Sequence, residues 1–241
     1  MQCKNCDQKL KHGDSYCQHC GQRADVTRLN FKQLIRDIWV AFSNTDEGVL
    51  LLIKELVYRP GKVARAYVSG RRRHYFNPFS YLAIMLAIAL FFILRFEHFG
   101  IDYSQMKAED LELLQFAFRY FNLFILFMCP VYAFVIWIFF LGNQLNYAEN
   151  LVLSAYLSGQ NMLYYILAIL LFALFPSKMD VLGLIIGLLI TIWYVIAILQ
   201  FYAKRSFWSI LKTILVIIIS QFISQGMILF AFSVYKLSVL N

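Results

Sequence analysis

The sequence is poor in charged residues. Only 15 % of its 241 residues are Asp, Glu, Lys or Arg, whereas 61 % are apolar. A soluble globular domain carries roughly 25 % charged residues. A chain of this length cannot hide so much apolar side chain in one water-soluble core. The composition therefore excludes an ordinary soluble protein and favours one whose apolar surface lies in a bilayer.

The long apolar runs also lack catalytic groups. None carries Asp, Glu, His, Lys or Arg near its middle, and basic residues at the run ends can extend to the membrane surface. An ion-coupled transporter or proton pump normally needs a titratable residue at depth. An intramembrane hydrolase needs a nucleophile with a base, or a set of metal ligands. We therefore expect that the protein is not an enzyme.

Five apolar runs are long enough to cross a bilayer, which takes roughly 20 helical residues. Asn77 as a helix cap and Pro78 at the first helical position would begin the first run. These runs predict an all-α membrane protein with five transmembrane helices. The more polar residues before the first run are predicted to form a small ribbon and amphipathic helices. The predicted spans are about 79–96, 121–141, 151–175, 181–203 and 210–234.

Four of the five cysteines fall within the first 20 residues, as two CxxC pairs with ten residues between them. Each CxxC turn directs two thiolates at one centre, so two turns complete a tetrahedral sulfur site typical of structural Zn²⁺. Two disulfides or a redox pair are the alternative. Four thiolates close the coordination shell, so we expect a structural rather than a catalytic ion. The predicted ligands are Cys3, Cys6, Cys17 and Cys20.

A basic segment follows the ribbon. Apolar residues at helical spacing predict amphipathic helices at about 30–43, 49–58 and 62–69. Aromatic rings interleaved with cations suit the headgroup region of a membrane, although they also suit single-stranded nucleic acid. A third interpretation is that these cations simply flank the first span on its cytosolic side, as basic residues commonly do. The residues predicted to contact anionic lipid or another polyanion are Arg59, Lys62, Arg65, Arg71, Arg72 and Arg73.

The distribution of charge predicts the orientation in the membrane. Residues 1–78 hold 14 of the 22 Lys and Arg residues, and the turn at 204–209 holds two more. The loop predicted at 97–120 holds five acids against two basic residues. Positive charge favours the cytosolic side, where a reducing environment also preserves thiolates. We expect an inner (cytoplasmic) membrane protein with its N-terminus in the cytosol and its C-terminus outside. The loop predicted at 142–150 carries only one charged residue, Glu149, and does not help to decide the orientation.

The predicted spans contain a few amides and glycines. Gln160 and Asn161 in the third span, with Gln221 and Gln225 in the fifth, predict a polar seam between these helices. The seam would serve either interhelical hydrogen bonding or a small-ligand groove. Gly183 and Gly187 form a GxxxG pattern in the fourth span, which permits close helix approach.

Three motifs carry a family resemblance: Arg59-Pro60-Gly61, the stretch Tyr67-Val68-Ser69-Gly70-Arg71-Arg72, and the stretch Tyr75 to Leu82. Together with the ribbon they resemble an uncharacterised bacterial zinc-ribbon multi-pass membrane family, the domain-of-unknown-function family 3667. The resemblance implies a cytosolic ribbon and no particular activity. Leu145 to Glu149 is more distantly similar to the five-span Rab-interacting Yip family, which implies at most a scaffold role.

These observations predict three domains: a zinc ribbon at 1–24, a basic amphipathic helical collar at 25–76, and a five-helix transmembrane domain at 77–241. The leading hypothesis is a non-enzymatic membrane module whose ribbon and collar recruit a cytosolic protein partner or contact anionic membrane lipids. One alternative is a small permease or channel that uses the polar seam. Another is a membrane protein that tethers nucleic acid or assists in defence.

Overall fold

The computed structural model describes residues 1–11, 13–25, 28–29, 48–96 and 107–240. Over these ranges the fold is all-α, with isolated β-bridges near the N-terminus in place of a sheet. The amphipathic helix predicted at 30–43 lies outside the described residues. The α-helices are Gly48–Tyr58 (α1), Pro60–Val68 (α2), Pro78–Phe96 (α3), Ala108–Arg119 (α4), Phe121–Phe139 (α5), Tyr147–Leu174 (α6), Met179–Tyr202 (α7) and Phe207–Leu240 (α8).

Four of these helices, α5 to α8, are long and apolar enough to cross a membrane. Their bounds agree within a few residues with the second, third, fourth and fifth predicted spans. The first predicted span forms α3, whose apolar stretch Pro78–Ile93 is shorter than the others. Asn77 caps α3 as predicted, because its Oδ1 accepts hydrogen bonds from the backbone N–H groups of Phe79 at 2.9 Å and Ser80 at 3.3 Å.

Helix α6 begins earlier than the apolar run suggests. The side chain of Asn146 accepts a hydrogen bond from Glu149 N, and the Glu149 carboxylate accepts one from Asn146 N, which together form a capping box. The predicted loop at 142–150 is therefore partly wrong, since its last residues are helical. The polar capping residues lie outside the apolar run by which the span was recognised.

The loop predicted at 97–120 also contains a helix. Helix α4 is amphipathic, and its Phe116 is buried against the rings of Phe232 and Tyr235 near the end of α8, with centroid distances of 5.5 and 5.1 Å. Its acidic residues concealed it in a search for long apolar runs. The rest of the predicted loop, residues 97–106, lies outside the described residues.

The collar helices α1 and α2 pack into the same core as the long helices. Leu52 and Leu56 of α1, with Val63 and Ala64 of α2, are fully buried in a cluster that includes residues of α3, α6 and α7. Helix α2 starts two residues before the predicted position, with Pro60 as its first residue. Proline suits that position because a helix has no partner for the first N–H groups.

Helices α2 and α7 cross at unusually close range. A Cβ on Gly61 would overlap the carbonyl oxygen of Ala197 and would lie 2.5 Å from Phe201 N. Only glycine permits that approach. The final carbonyls of a helix lack intrahelical partners. Here one such carbonyl in α1 and one in α7 each accept a hydrogen bond from a side chain of another helix. Trp193 of α7 donates to the carbonyl of Leu56 in α1 at 3.0 Å, and Arg65 of α2 donates to the carbonyl of Phe201 in α7 at 2.7 Å.

Candidate metal centre and basic surface

Residues 1–11 and 13–24 include two similar turns around the cysteines. In the first, Cys3 N donates to Gln8 O at 2.8 Å, and in the second Cys17 N donates to Gln22 O at 2.7 Å. The residue after each CxxC pair has a positive φ, 58° at Asp7 and 68° at Gly21. Asp and Gly are among the residues that adopt this left-handed conformation at low cost. The two halves are therefore repeats of one local structure.

The four cysteine sulfurs converge on one point. All four Sγ atoms lie within 4.8 Å of one another, and the Cys3–Cys20 and Cys6–Cys17 pairs are each separated by 3.6 Å. A tetrahedral ion with metal–sulfur bonds of about 2.3 Å requires sulfur separations of about 3.8 Å. Hydrogen bonds from the backbone N–H groups of Cys20 and His19 lower the pKa of the Cys17 thiol to about 6. The group can hold a metal ion.

The ribbon is docked on the basic loop between α2 and α3. The backbone N–H of Arg73 donates to Oε1 of the buried Gln22 at 3.2 Å. The guanidinium of Arg73 also passes close to Gly21, where a Cβ would lie 3.3 Å from Nη2. The ribbon and the loop thus form one continuous surface, and Gly21 suits both its positive φ and the close approach of the Arg73 side chain.

The structure divides the six predicted contact cations. Arg59 pairs with Glu55 four residues earlier, and Arg65 is committed to the end of α7. Lys62, Arg71 and Arg73 are exposed, whereas Arg72 is partly buried and makes contacts within the protein. Arg59 and Arg65 are exposed as well but are engaged by these contacts, so Lys62, Arg71 and Arg73 remain as the basic surface available for a partner.

Glu55 holds two neighbours of that surface in place. Its carboxylate accepts hydrogen bonds from Arg59 and, at 2.8 Å, from the hydroxyl of Tyr75. Burial acts to raise the pKa of Glu55, but the hydrogen bonds from Arg59 and Tyr75 bring it below the ordinary value. Burial and the carboxylate raise the pKa of Tyr75 to about 12. This pair fixes α1 to the loop before α3.

The two ends of the helix bundle differ in charge. At the collar end, which comprises α2, the 69–77 loop and the turn after α7, the exposed Lys204 and Arg205 add to the basic surface. At the opposite end, α4 presents Glu109 and Glu112 to Lys236 of α8, with nitrogen–oxygen distances of 3.7 and 3.9 Å.

The four residues of the predicted polar seam do not lie together. Gln160 is fully buried and its Oε1 accepts a hydrogen bond from the hydroxyl of Tyr81 in α3 at 2.6 Å. Asn161 and Gln221 both line a cavity between α5, α6, α7 and α8. Gln225 is exposed and is not part of that lining.

Sequence reasoning missed an ion pair that anchors the residues after the ribbon. Arg28 donates from Nε and Nη2 to the two carboxylate oxygens of the buried Glu149, each at 3.0 Å. Asn146 also donates to the carbonyl of Leu29 at 3.0 Å. The Asn-x-x-Glu spacing at 146–149 was the available signal, since it is typical of a helix start.

A family model described as a protein of unknown function (DUF3667) matches residues 46–90. The match supports the family assignment that the sequence motifs indicate, over this part of the chain. It covers α1, α2, the basic loop and most of α3. No curated protein and no solved structure matches the chain. The more distant similarity to the Yip family is therefore without support.

Proposed function

We propose that the chain is a non-enzymatic integral membrane module whose docked ribbon and basic loop bind anionic lipid headgroups at the cytosolic surface. The observation that carries this proposal is the contact of Gly21 and Gln22 with Arg73. It supports a single surface that includes the exposed Lys62 and Arg71. A cytosolic protein partner would be recruited by the ribbon face that remains outside this contact.

The proposed metal is one structural Zn²⁺. Four thiolates in tetrahedral spacing suit zinc, and a closed shell leaves no position for a reacting water. A segment this short has little apolar core, so the ion would supply most of the free energy that folds the ribbon. Cytosolic placement keeps the thiols reduced.

The proposed topology has five spans, with α3 as the first. Chain tracing supports it, because α3 leaves the collar end at Asn77 and α4 packs beside the last turns of α8, at the opposite end. The 19 residues of α3 extend about 28 Å, close to the hydrocarbon thickness. The basic collar end is proposed to face the cytosol across the inner membrane, with the acidic α4 and the C-terminus outside.

The metal proposal is tested on the full chain purified under reducing conditions. Elemental analysis should find about one zinc per chain, and Cys6→Ser should abolish it. Cys129→Ser is the matched control, because Cys129 is buried in α5 among the long helices and should leave the zinc content unchanged. Stoichiometric disulfides in place of metal would overturn the proposal.

The lipid proposal is tested by the lipids that the protein retains. The chain is reconstituted into vesicles of phosphatidylglycerol and phosphatidylcholine. It is then extracted with a polymer that removes the protein together with the lipids that surround it, and these lipids are quantified. Each surface cation contributes about 1 kcal/mol of attraction to anionic lipid, so Arg71→Glu with Arg73→Glu should lower the retained phosphatidylglycerol roughly twofold. The matched control is Lys107→Glu with Lys178→Glu, which makes the same charge change elsewhere on exposed positions.

Insertion must be checked before the lipid result is interpreted. With an impermeant maleimide on intact cells, Ser177→Cys should be labelled and Ser206→Cys should not, while the wild-type cysteines stay unlabelled. Labelling of the wild-type ribbon would show that the N-terminus lies outside the cell and that the proposed topology is inverted. Unchanged lipid retention in a correctly inserted double variant would remove the proposed lipid contact.

A further inference from the structure

A cavity of about 350 Å³ lies within the membrane-spanning part of the bundle. Helices α5, α6, α7 and α8 line it, each packs against the next around the ring, and the cavity is open on the side where Gly187, Thr191 and Gln221 are exposed. Its volume is at the lower end of the range for ligand pockets, about 300–1,000 Å³. It therefore suits one polar headgroup with the adjoining part of an apolar chain.

The glycines of α7 create this space. Gly183 and Gly187 both line the cavity. A Cβ on Gly187 would meet no atom within 4 Å, and one on Gly183 would meet only the ring of Phe172, at 3.9 Å. The close approach that this GxxxG pattern permits is therefore not made by any described residue, because no backbone atom of another described helix lies within 4 Å of either Cβ position.

Two polar atoms in the cavity wall are unpaired. Ser220 Oγ and Asn161 Oδ1 are buried and have no hydrogen-bond partner within the described part of the chain, and Ser220 is 1 % exposed. Other hydroxyls in the wall are paired: Ser154 donates to the carbonyl of Cys129 at 2.6 Å and Thr191 to that of Gly187 at 2.8 Å. Buried polar atoms normally find partners, so these two, which border open space, are available to hydrogen-bond a bound molecule.

The wall also defines the charge of the occupant. None of the described residues that line the cavity is Asp, Glu, His, Lys or Arg. An ionised group would have no counter-charge there, and burying it would be strongly unfavourable. The amide oxygen of Asn161 is an acceptor, so the occupant must supply a donor.

We propose that this cavity binds the hydroxyl headgroup of a neutral lipid alcohol of the diacylglycerol type. The lipid hydroxyl donates to Asn161 Oδ1, Ser220 serves as a second polar partner, and the first part of the acyl chain fills the space beside Gly187. The proposal requires only that α5 to α8 lie in a membrane. It does not depend on the zinc ribbon or on the anionic-lipid surface.

The test uses the full chain in nanodiscs and a diacylglycerol with a photoreactive acyl chain. Cross-linking should be saturable, should map to peptides of α5 to α8, and should be displaced by unlabelled dioleoylglycerol. Phosphatidylcholine with the same photoreactive chain should label these peptides at least tenfold less. Equal labelling by the two probes would mean a general lipid-facing surface and would overturn the proposal.

Gly187→Leu places an apolar side chain into the cavity, where its Cβ meets nothing within 4 Å, and should lower diacylglycerol cross-linking at least tenfold. Gly226→Leu is the matched control, because its Cβ also meets nothing within 4 Å and Gly226 does not line the cavity. Asn161→Leu, which removes the acceptor, should weaken competition by dioleoylglycerol several-fold while the thermal midpoint stays near that of wild type. Undiminished cross-linking in a folded Gly187→Leu protein would contradict the proposal. A second contradicting result would be that wild-type protein carries free glycerol into vesicles and that Gly187→Leu abolishes this uptake. The cavity would then be a path for solutes and not a lipid-binding site.

Discussion

The α2–α7 crossing and the cavity bordered by α7 both depend on glycine, with opposite results. Gly61 stands out in the sequence only as part of the Arg59-Pro60-Gly61 motif, yet it allows two backbones to touch. Gly187 belongs to a pattern associated with close packing, yet it faces open space. A glycine thus removes a side chain, and the neighbouring helices determine whether backbone or a cavity takes its place.

The two regions also differ in how their polar groups are hydrogen-bonded. At the crossing, Trp193 and Arg65 satisfy the terminal carbonyls of the helices they touch. In the cavity, Asn161 and Ser220 retain unpaired oxygens. Gln200 Oε1, beside Gly61 at the crossing, is also unpaired, so an unpaired atom alone does not mark a binding site; the cavity differs in having open space beside its unpaired atoms.

The largest expected effect is at the crossing. Gly61→Ala should destabilise the protein by about 3 kcal/mol or more, because the added Cβ meets backbone atoms that cannot move without separating α2 from α7. Thermal unfolding in detergent, followed by tryptophan fluorescence, measures the change. Gly187→Ala is the matched control and should shift the midpoint little, or upward, because alanine favours helix. Equal loss in both variants would break the comparison.

The next effect is at the anchor between the residues after the ribbon and α6. Glu149→Ala removes the capping box and the partner of Arg28, and should cost about 2 kcal/mol. Glu149→Gln preserves the cap, so it should cost only about 0.5 kcal/mol, since the Arg28 side chain is 57 % exposed and surface ion pairs contribute little. The same thermal measurement separates the two contributions. Equal losses for Gln and Ala would show that the ion pair, not the cap, dominates.

The smallest effect concerns Glu55 and depends on pH. Its folded-state pKa is lower than its unfolded value, so its contribution is present above the unfolded pKa, near 4.5, and is lost as pH falls through the folded pKa. Glu55→Gln should therefore cost about 1 kcal/mol at neutral pH, with the difference from wild type shrinking below about pH 4.5. Unfolding midpoints measured across pH 3–8 test this, and Glu112→Gln at the opposite end is the control. A difference that grows on acidification would contradict the assignment.

Much of this architecture is local and could be predicted. Apolar runs identify α5 to α8, and the CxxC spacing identifies the sulfur group, because both signals reside in neighbouring residues. The cap of α3 by Asn77 was predicted for the same reason. Helix α4 was missed because its acids interrupt the apolar pattern. The roles of Arg65 and Gly61 depend on Phe201 and Ala197, more than a hundred residues away, and no local pattern contains that information.

The bond between Arg65 and the carbonyl of Phe201 also bears on how the protein is made. Its partners are 136 residues apart in sequence. At a synthesis rate of about 5–20 residues per second, the collar helices emerge roughly 7–27 s before the end of α7 exists to receive them. During that interval α1 and α2 have no α7 surface on which to bury their apolar side chains. Docking of the collar is therefore a late event in assembly, and it reports that α7 has reached its place beside the collar helices.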